Sequence, residues 1–238
     1  MQKIIPDLSP LFVKYKALAA DVDTLFSRVK SEYPDAVTCH VGCSDCCSAL
    51  FDLPLIEAVY LNHSFNSIYP HGALRSAILE KADAADRAVH KIKRKAYKDG
   101  QAGVENDAIF KALGQEKIRC PLLSGESDPS GTLRCSLYEH RPLTCRLYGI
   151  PTAIGGTGHT CALSAFSPGK NYPTIKMDQL HARMASLSFE LARHVKSGYS
   201  QIHTVLVPVS MALLTEYNTT YFGVGLQSAY NEREGENG

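Results

Sequence analysis

The sequence predicts a mainly α protein: a helical scaffold with a small β-hairpin and irregular loops. Three observations predict it. Apolar residues recur at helical spacing in several long segments. A change of period to short, turn-separated runs is confined to Ile118–Tyr138. Eight cysteines fall in two blocks between the helical segments.

The first helix is predicted to begin at Ser9-Pro10, with Ser9 as N-cap and Pro10 at the first helical position. Leu11, Tyr15, Leu18, Val22, Leu25, Phe26 and Val29 follow at helical spacing, and the helix is expected to end near Tyr33-Pro34. Pro54 opens a second helix carrying Ile56, Val59 and Tyr60. A third runs from Ala73 to Tyr97, with Leu74, Ile78, Ala82, Val89 and Ile92 on one face and Gly100 just beyond its end. A fourth, from Val104 to Leu113, is expected to stop at Gly114.

Arg119–Leu123 and Thr132–Leu137 read as two short strands joined by the turn-rich Ser124–Gly131, a hairpin that would draw Cys120 and Cys135 together. Arg141-Pro142 starts a helical turn holding Cys145, and Ile154–Gly158 reads as a flexible loop before Cys161. A long helix is expected over Lys176–Val195, and the apolar Val205–Leu214 should pack back on the core. No repeat is seen, and no low-complexity tail other than the polar Asn231–Gly238. The organisation expected is one domain over 1–238, with a cysteine core at about 39–161 and helical flanks at 1–38 and 162–238.

With 238 residues, 45% of them apolar and 21% charged, the chain can bury a core without disulfide staples. The net charge of +1 supplies no nucleic-acid footprint, and the basic run Arg87–Lys98 reads as a solvated helix face. Met1–Tyr15 shows no apolar leader, and no run of apolar residues is long enough to span a bilayer. A reducing, cytoplasmic setting with metal-bound thiolates is therefore expected, without membrane partners.

The cysteines point to the chemistry. Cys39, Cys43, Cys46 and Cys47 stand in C-H-V-G-C-S-D-C-C, and Cys120, Cys135, Cys145 and Cys161 form the second block. Thiolates spaced two and three residues apart can converge on one soft metal centre, and zinc and iron–sulfur clusters both accept four of them. Eight divide as four plus four. In extended backbone Cys46 and Cys47 would point to opposite sides, so they would serve two neighbouring centres, or one would be an unligated buried thiol. His40 and His159 are alternative imidazole donors. Arg141 and Arg146 flank Cys145 and would bind the cofactor by balancing thiolate charge or an anionic ligand; the competing role is a structural bond to a backbone carbonyl or carboxylate. Tyr138 and Tyr148 are expected to pack against the cluster. Gly155–Gly158 lacks the context of a nucleotide loop, and its amides would bond cluster sulfurs.

Cys39-x3-Cys43-x2-Cys46 matches the spacing of the radical S-adenosylmethionine motif. That motif follows the first strand of a β/α barrel, whereas here it lies between helices, with Asp45 where an aromatic residue usually precedes the third cysteine. A closer resemblance rests on C-H-V-G-C-S-D-C-C, F-D-L-P-L-I-E-A, R-C-P-L-L and R-C-S-L-Y-E-H-R-P-L-T-C-R-L-Y-G. Over Cys39–Cys161 the chain resembles the CxxCxxCC, or YkgJ-type, zinc- or iron-chelating family, except that its first gap is three residues, with Gly42 before Cys43. The resemblance implies metal chelation without a settled reaction; flagellin lysine methylases carry a similar cluster. The expected cofactor is one or two iron–sulfur clusters of [4Fe–4S] type, in electron transfer or redox-linked modification of a protein partner. The alternatives are zinc in a non-enzymatic interaction module, and a methyltransferase-like enzyme carrying a metal cluster.

Overall fold

A computed structural model describes residues 5–40, 42–125, 132–167 and 169–225. The tail at 231–238, residues 126–131 of the turn-rich segment and the first four residues lie outside the described residues. The fold is mainly helical, as predicted, with three sheets of two or three strands among the described residues.

Helix α1 (Ser9–Glu32) buries Leu11, Tyr15, Leu18, Val22 and Val29, while Leu25 on its predicted face is exposed. Its start differs from expectation. Ser9 lies inside the helix, and the carboxylate of Asp7 accepts both the Ser9 amide (2.9 Å) and the Ser9 hydroxyl (2.7 Å). A carboxylate is the stronger acceptor for an unpaired first-turn amide, so it displaces the hydroxyl from that role.

Strand β1 (Asp52–Pro54) leads into α2 (Leu55–Ile68), the most enclosed helix of the fold. Leu55, Ile56, Ala58, Val59, Leu61 and Phe65 are all buried, as befits a helix that is apolar nearly all round. Helix α3 (Ala73–Gln101) runs past Tyr97 and takes in Gly100, because the break comes at Gly103, which adopts a positive φ. Its inner face holds Ile78, Ala82, Ala85 and Val89; Leu74 is exposed. The basic run lies on α3, where Lys93 pairs with Asp52 (2.6 Å), and Arg87 pairs with Asp83 one turn back. Helix α4 (Asn106–Gln115) includes Gly114 instead of stopping at it.

Strands β2 (Leu123–Ser124) and β3 (Arg134–Cys135) form the predicted antiparallel pair, shorter than expected, with Leu123 opposite Cys135. Helix α5 (Leu143–Leu147) carries Cys145. The loop expected at Ile154–Gly158 is instead a hairpin, β4 (Thr152–Ile154) against β5 (Thr157–His159). Gly155 and Gly156 both have positive φ. That conformation closes a two-residue hairpin with the right twist. Strand β6 (Ile175–Lys176) joins β4 in parallel and precedes α6 (Met177–His194). Finally β7 (Leu206–Pro208) pairs with β1 and opens α7 (Val209–Leu214), so the last apolar segment packs back as predicted.

Prolines set three helix starts in the same way. Pro54, Pro142 and Pro208 immediately precede α2, α5 and α7 and share nearly the same φ and ψ. The ring fixes φ at a helix-compatible value while ψ stays extended, so each proline turns the chain into the helix that follows. One hydrophobic core runs from Leu8 to Phe222, and Cys39, Cys120 and Cys135 pack against its edge. No described helix is long and apolar enough to cross a membrane.

Candidate metal centre

Five local structures deliver the thiols. The first block leaves α1 through a turn at Tyr33–Val37, then enters a 3₁₀ turn at Asp45–Ser48. This turn corrects the extended backbone expected at Cys46-Cys47: at three residues per turn, neighbouring side chains need not oppose one another. Both cysteines face the same cavity. The second block is zipped to the first by backbone bonds, Cys120 N–H to Cys47 O (2.6 Å) and Ile118 N–H to Ser48 O (3.1 Å). The β2–β3 pair places Cys135, and α5 places Cys145. The Cys161 loop is tied to the segment before Cys39: Thr38 Oγ1 donates to Leu163 O (2.6 Å), and Ala165 N–H to Ala36 O (3.0 Å).

Cys39, Cys43, Cys46, Cys47, Cys120, Cys135 and Cys145 line one cavity of about 440 Å³. Cys161 stands outside that lining, with its sulfur 3.7 Å from Asp45 Oδ2. Among the described residues, no three His, Cys, Asp or Glu side chains are already arranged to hold a metal ion. The thiols surround a space instead of closing on one point.

The electrostatics of the cavity are uneven. The Cys46 thiol is pulled down to about 3 by bonds from Cys145 and Cys47, with the Arg141 guanidinium helping. Its two partners are pushed up: Cys47 and Cys145 hold their protons as donors to the Cys46 thiolate, in a buried setting. Burial raises Cys120 to about 12 and also raises Cys39, Cys135 and Cys161. Cys46 is therefore the resident thiolate around which the other sulfurs are gathered.

The donor set fits a metal–thiolate centre on a second ground. Backbone amides already point at sulfur: Leu122 and Leu123 at Cys120, Leu137 at Cys135, and Leu163 (3.4 Å) and Ser164 at Cys161. Such bonds stabilise thiolates and tune the potential of iron–sulfur centres. The sequence expectation placed such amides on Gly155–Gly158; instead they come from these segments, and the Gly155 amide donates to Asp178 (2.9 Å) at the start of α6.

The two arginines separate in role. Arg141 lies over the Tyr138 ring (4.0 Å), bonds Tyr138 O (2.9 Å), and sends its charge towards Cys46 and Cys135. Arg146 is 7% exposed and pairs with Asp23, with its remaining donors on Arg141 O and Glu139 O. Both line the cavity, but Arg146 is held in a structural network whose field falls on Glu57 and Tyr15. His40 lines the cavity, whereas His159 is exposed on β5, outside its lining. Tyr138 also lines it, and the Tyr148 hydroxyl donates to Asp45 (3.0 Å).

Sequence reasoning missed three supports. Asp45 binds both Tyr148 and Cys161, and its only signal was its place inside C-S-D-C-C. Glu57, 2% exposed, accepts the Tyr15 hydroxyl (2.6 Å) and the Leu143 amide (2.7 Å); a lone carboxylate within the apolar run Leu55–Leu61 was a legible sign. Gly149 has a positive φ, and a Cβ there would stand 3.0 Å from Cys39 Cβ. The glycine of C-R-L-Y-G thus makes room for a thiol from the other block.

Residues 38–162 match the family model CxxCxxCC, described as "Putative zinc- or iron-chelating domain", over more than half of the chain. The chain belongs to that family, and the resemblance seen in its motifs holds. No curated protein and no solved structure matches it.

Proposed function

We propose that the protein binds iron–sulfur, with [4Fe–4S] favoured, and works in electron transfer or redox-linked modification of a protein partner in the cytoplasm. The observation that carries the reading is the gathering of seven thiols on one cavity of about 440 Å³. A single zinc ion needs four ligands at about 2.3 Å and no such space. A cluster brings its own volume and bridging sulfide, and needs thiolates spread around it. The amides aimed at Cys120, Cys135 and Cys161 and the charge of Arg141 beside Cys46 suit an anionic centre whose potential the protein tunes. When bound, the cluster would supply one-electron redox chemistry; the protein supplies the thiolates, their hydrogen bonds and the exclusion of water.

Anaerobic purification followed by iron, acid-labile sulfide and zinc analysis, alongside the visible spectrum, tests this. A brown protein with matching iron and sulfide supports the reading. A colourless protein with stoichiometric zinc overturns it and leaves a non-redox interaction module.

A further inference from the structure

We propose that the mouth of the thiol cavity is the docking surface for an acidic electron-carrier protein, drawn by a rim of Lys30, Arg119, Arg134 and Arg141 around the ring of Tyr138. The inference rests on the iron–sulfur reading above and names the partner of that site. The chain as a whole is close to neutral, at +1. The cavity lining is not: Lys30, Arg119, Arg134, Arg141 and Arg146 are set there against Glu139 alone among the described residues. Asp23, outside the lining, is shared by Arg141 (3.6 Å) and Arg146, one carboxylate to two guanidiniums. Arg146 is buried, so the charge that faces outward comes from the other four.

Lys30, Arg119 and Arg134 are exposed and also line the cavity, which places them where it opens to solvent. The chain puts charge there by the same means that put sulfur inside. Arg119 and Arg134 each immediately precede a cavity thiol, Cys120 and Cys135. Successive side chains of a strand take opposite faces, and on β3 Arg134 is exposed while Cys135 is half-buried. Lys30, in the last turn of α1, reaches the carbonyl of Cys39 (3.1 Å). Tyr138 is 41% exposed, with the Arg141 guanidinium 4.0 Å above its ring. Tyrosine and arginine are enriched where proteins meet. Electron-transfer encounters are small and steered by charge more than by buried area, which suits a compact cationic rim. One electron crosses between the carrier's redox centre and the cluster; one is oxidised as the other is reduced, and no bond is made or broken.

Flavodoxin, an acidic carrier, and cytochrome c, a basic one, are the probes for the full-length protein. Binding is read by microscale thermophoresis, and electron exchange by anaerobic stopped flow in whichever direction runs downhill. Flavodoxin binding should weaken at least about tenfold between about 20 and 300 mM salt, and cytochrome c should bind more weakly than flavodoxin at low salt. R134E should weaken flavodoxin at low salt at least about fivefold and flatten its salt dependence, and R134Q should fall between R134E and wild type. The control is R193E. Arg193 is exposed beside His194, whose ring bonds Asp7 O (2.8 Å) just before α1. The 24 residues of that helix rise about 1.5 Å each, which sets Arg193 about 30 Å from Lys30. R193E makes the same change in net charge and should bind flavodoxin as wild type does. Equal losses in R193E and R134E would overturn the proposal, leaving net charge in place of a rim. Flavodoxin binding indifferent to salt, or weaker than that of cytochrome c at low salt, would also overturn it. A protein that binds flavodoxin through the rim but holds zinc and exchanges no electron would keep the acidic partner and remove the iron–sulfur reading instead.

Discussion

Glu57 accepts the amide of Leu143 at 2.7 Å, so a carboxylate buried in the central helix holds the first turn of the helix that carries Cys145. The same oxygen accepts the Tyr15 hydroxyl at 2.6 Å, which ties α1, α2 and α5 together at one atom. The thiol site and the apolar core are thereby one mechanical unit.

Replacing Glu57 by alanine strands two buried donors, each costing about 1–3 kcal/mol, so E57A should lose about 2–6 kcal/mol of stability. E57Q keeps an acceptor oxygen and should stay within about 1 kcal/mol of wild type at neutral pH. Burial raises the Glu57 carboxyl, so the folded state holds its proton more tightly than the unfolded chain. Stability from this group is present below the unfolded carboxyl value and is lost as pH rises through the folded one. Denaturant unfolding of wild type and E57Q across the acid range should show wild type gaining relative stability as pH falls.

Gly149→Ala should be costly at a position that looks innocuous. Its positive φ disfavours any side chain, and the new methyl would press on Cys39 Cβ at 3.0 Å. Strain of about 1–3 kcal/mol follows. Cys39 would be displaced, so metal content should fall together with melting temperature; unchanged metal content would show that Cys39 is dispensable.

Much of this arrangement was legible beforehand. The helices were readable because apolar spacing and proline starts are local signals, and the thiols were readable because their types and spacing are rare. The Gly155-Gly156 hairpin was missed for want of turn chemistry that glycine pairs do signal. The 3₁₀ turn at Asp45–Ser48 was hidden, since it is held by tertiary bonds from Ile118 and Cys120, far away in sequence. The separation in role of Arg141 and Arg146 was hidden too: Asp23 in α1 pairs with both, closely with Arg146 and at 3.6 Å with Arg141, and no local pattern links α1 to α5.

That separation predicts opposite phenotypes. R146M removes a buried guanidinium from the part-exposed Asp23 and strands two carbonyls. It should therefore cost about 3 kcal/mol, chiefly from the stranded carbonyls. R141M removes the guanidinium that assists the Cys46 thiolate. Its stability loss should be about 1 kcal/mol. In the metal-free protein the Cys46 thiol should then titrate at higher pH, followed by ultraviolet thiolate absorbance. If an iron–sulfur centre is present, its potential should fall, because one nearby positive charge is gone. A potential unmoved in R141M would place Arg141 with Arg146 as a purely structural residue.

Metal uptake should release protons in a number that the cavity fixes. Cys46 is already a thiolate at neutral pH, held down to about 3, while Cys120, at about 12, and the likewise raised Cys135 and Cys145 are protonated. A four-thiolate centre built from these sulfurs begins with one thiolate, so about three protons leave when the ion binds. Protons and metal compete for the same lone pairs, so affinity must rise with pH, by about three decades per pH unit near neutrality. Zinc titrations in buffers of different ionisation enthalpy would count the protons. Release of about four would mean that Cys46 is protonated in the metal-free protein or is not a ligand. About two would mean that a second cavity thiol is already ionised and the burial argument fails for it. Removing the metal with a chelator at low pH should be correspondingly easy. It should also lower the melting temperature by loosening the loops at Cys39–Cys47 and Cys120–Cys145 together, since backbone bonds join them.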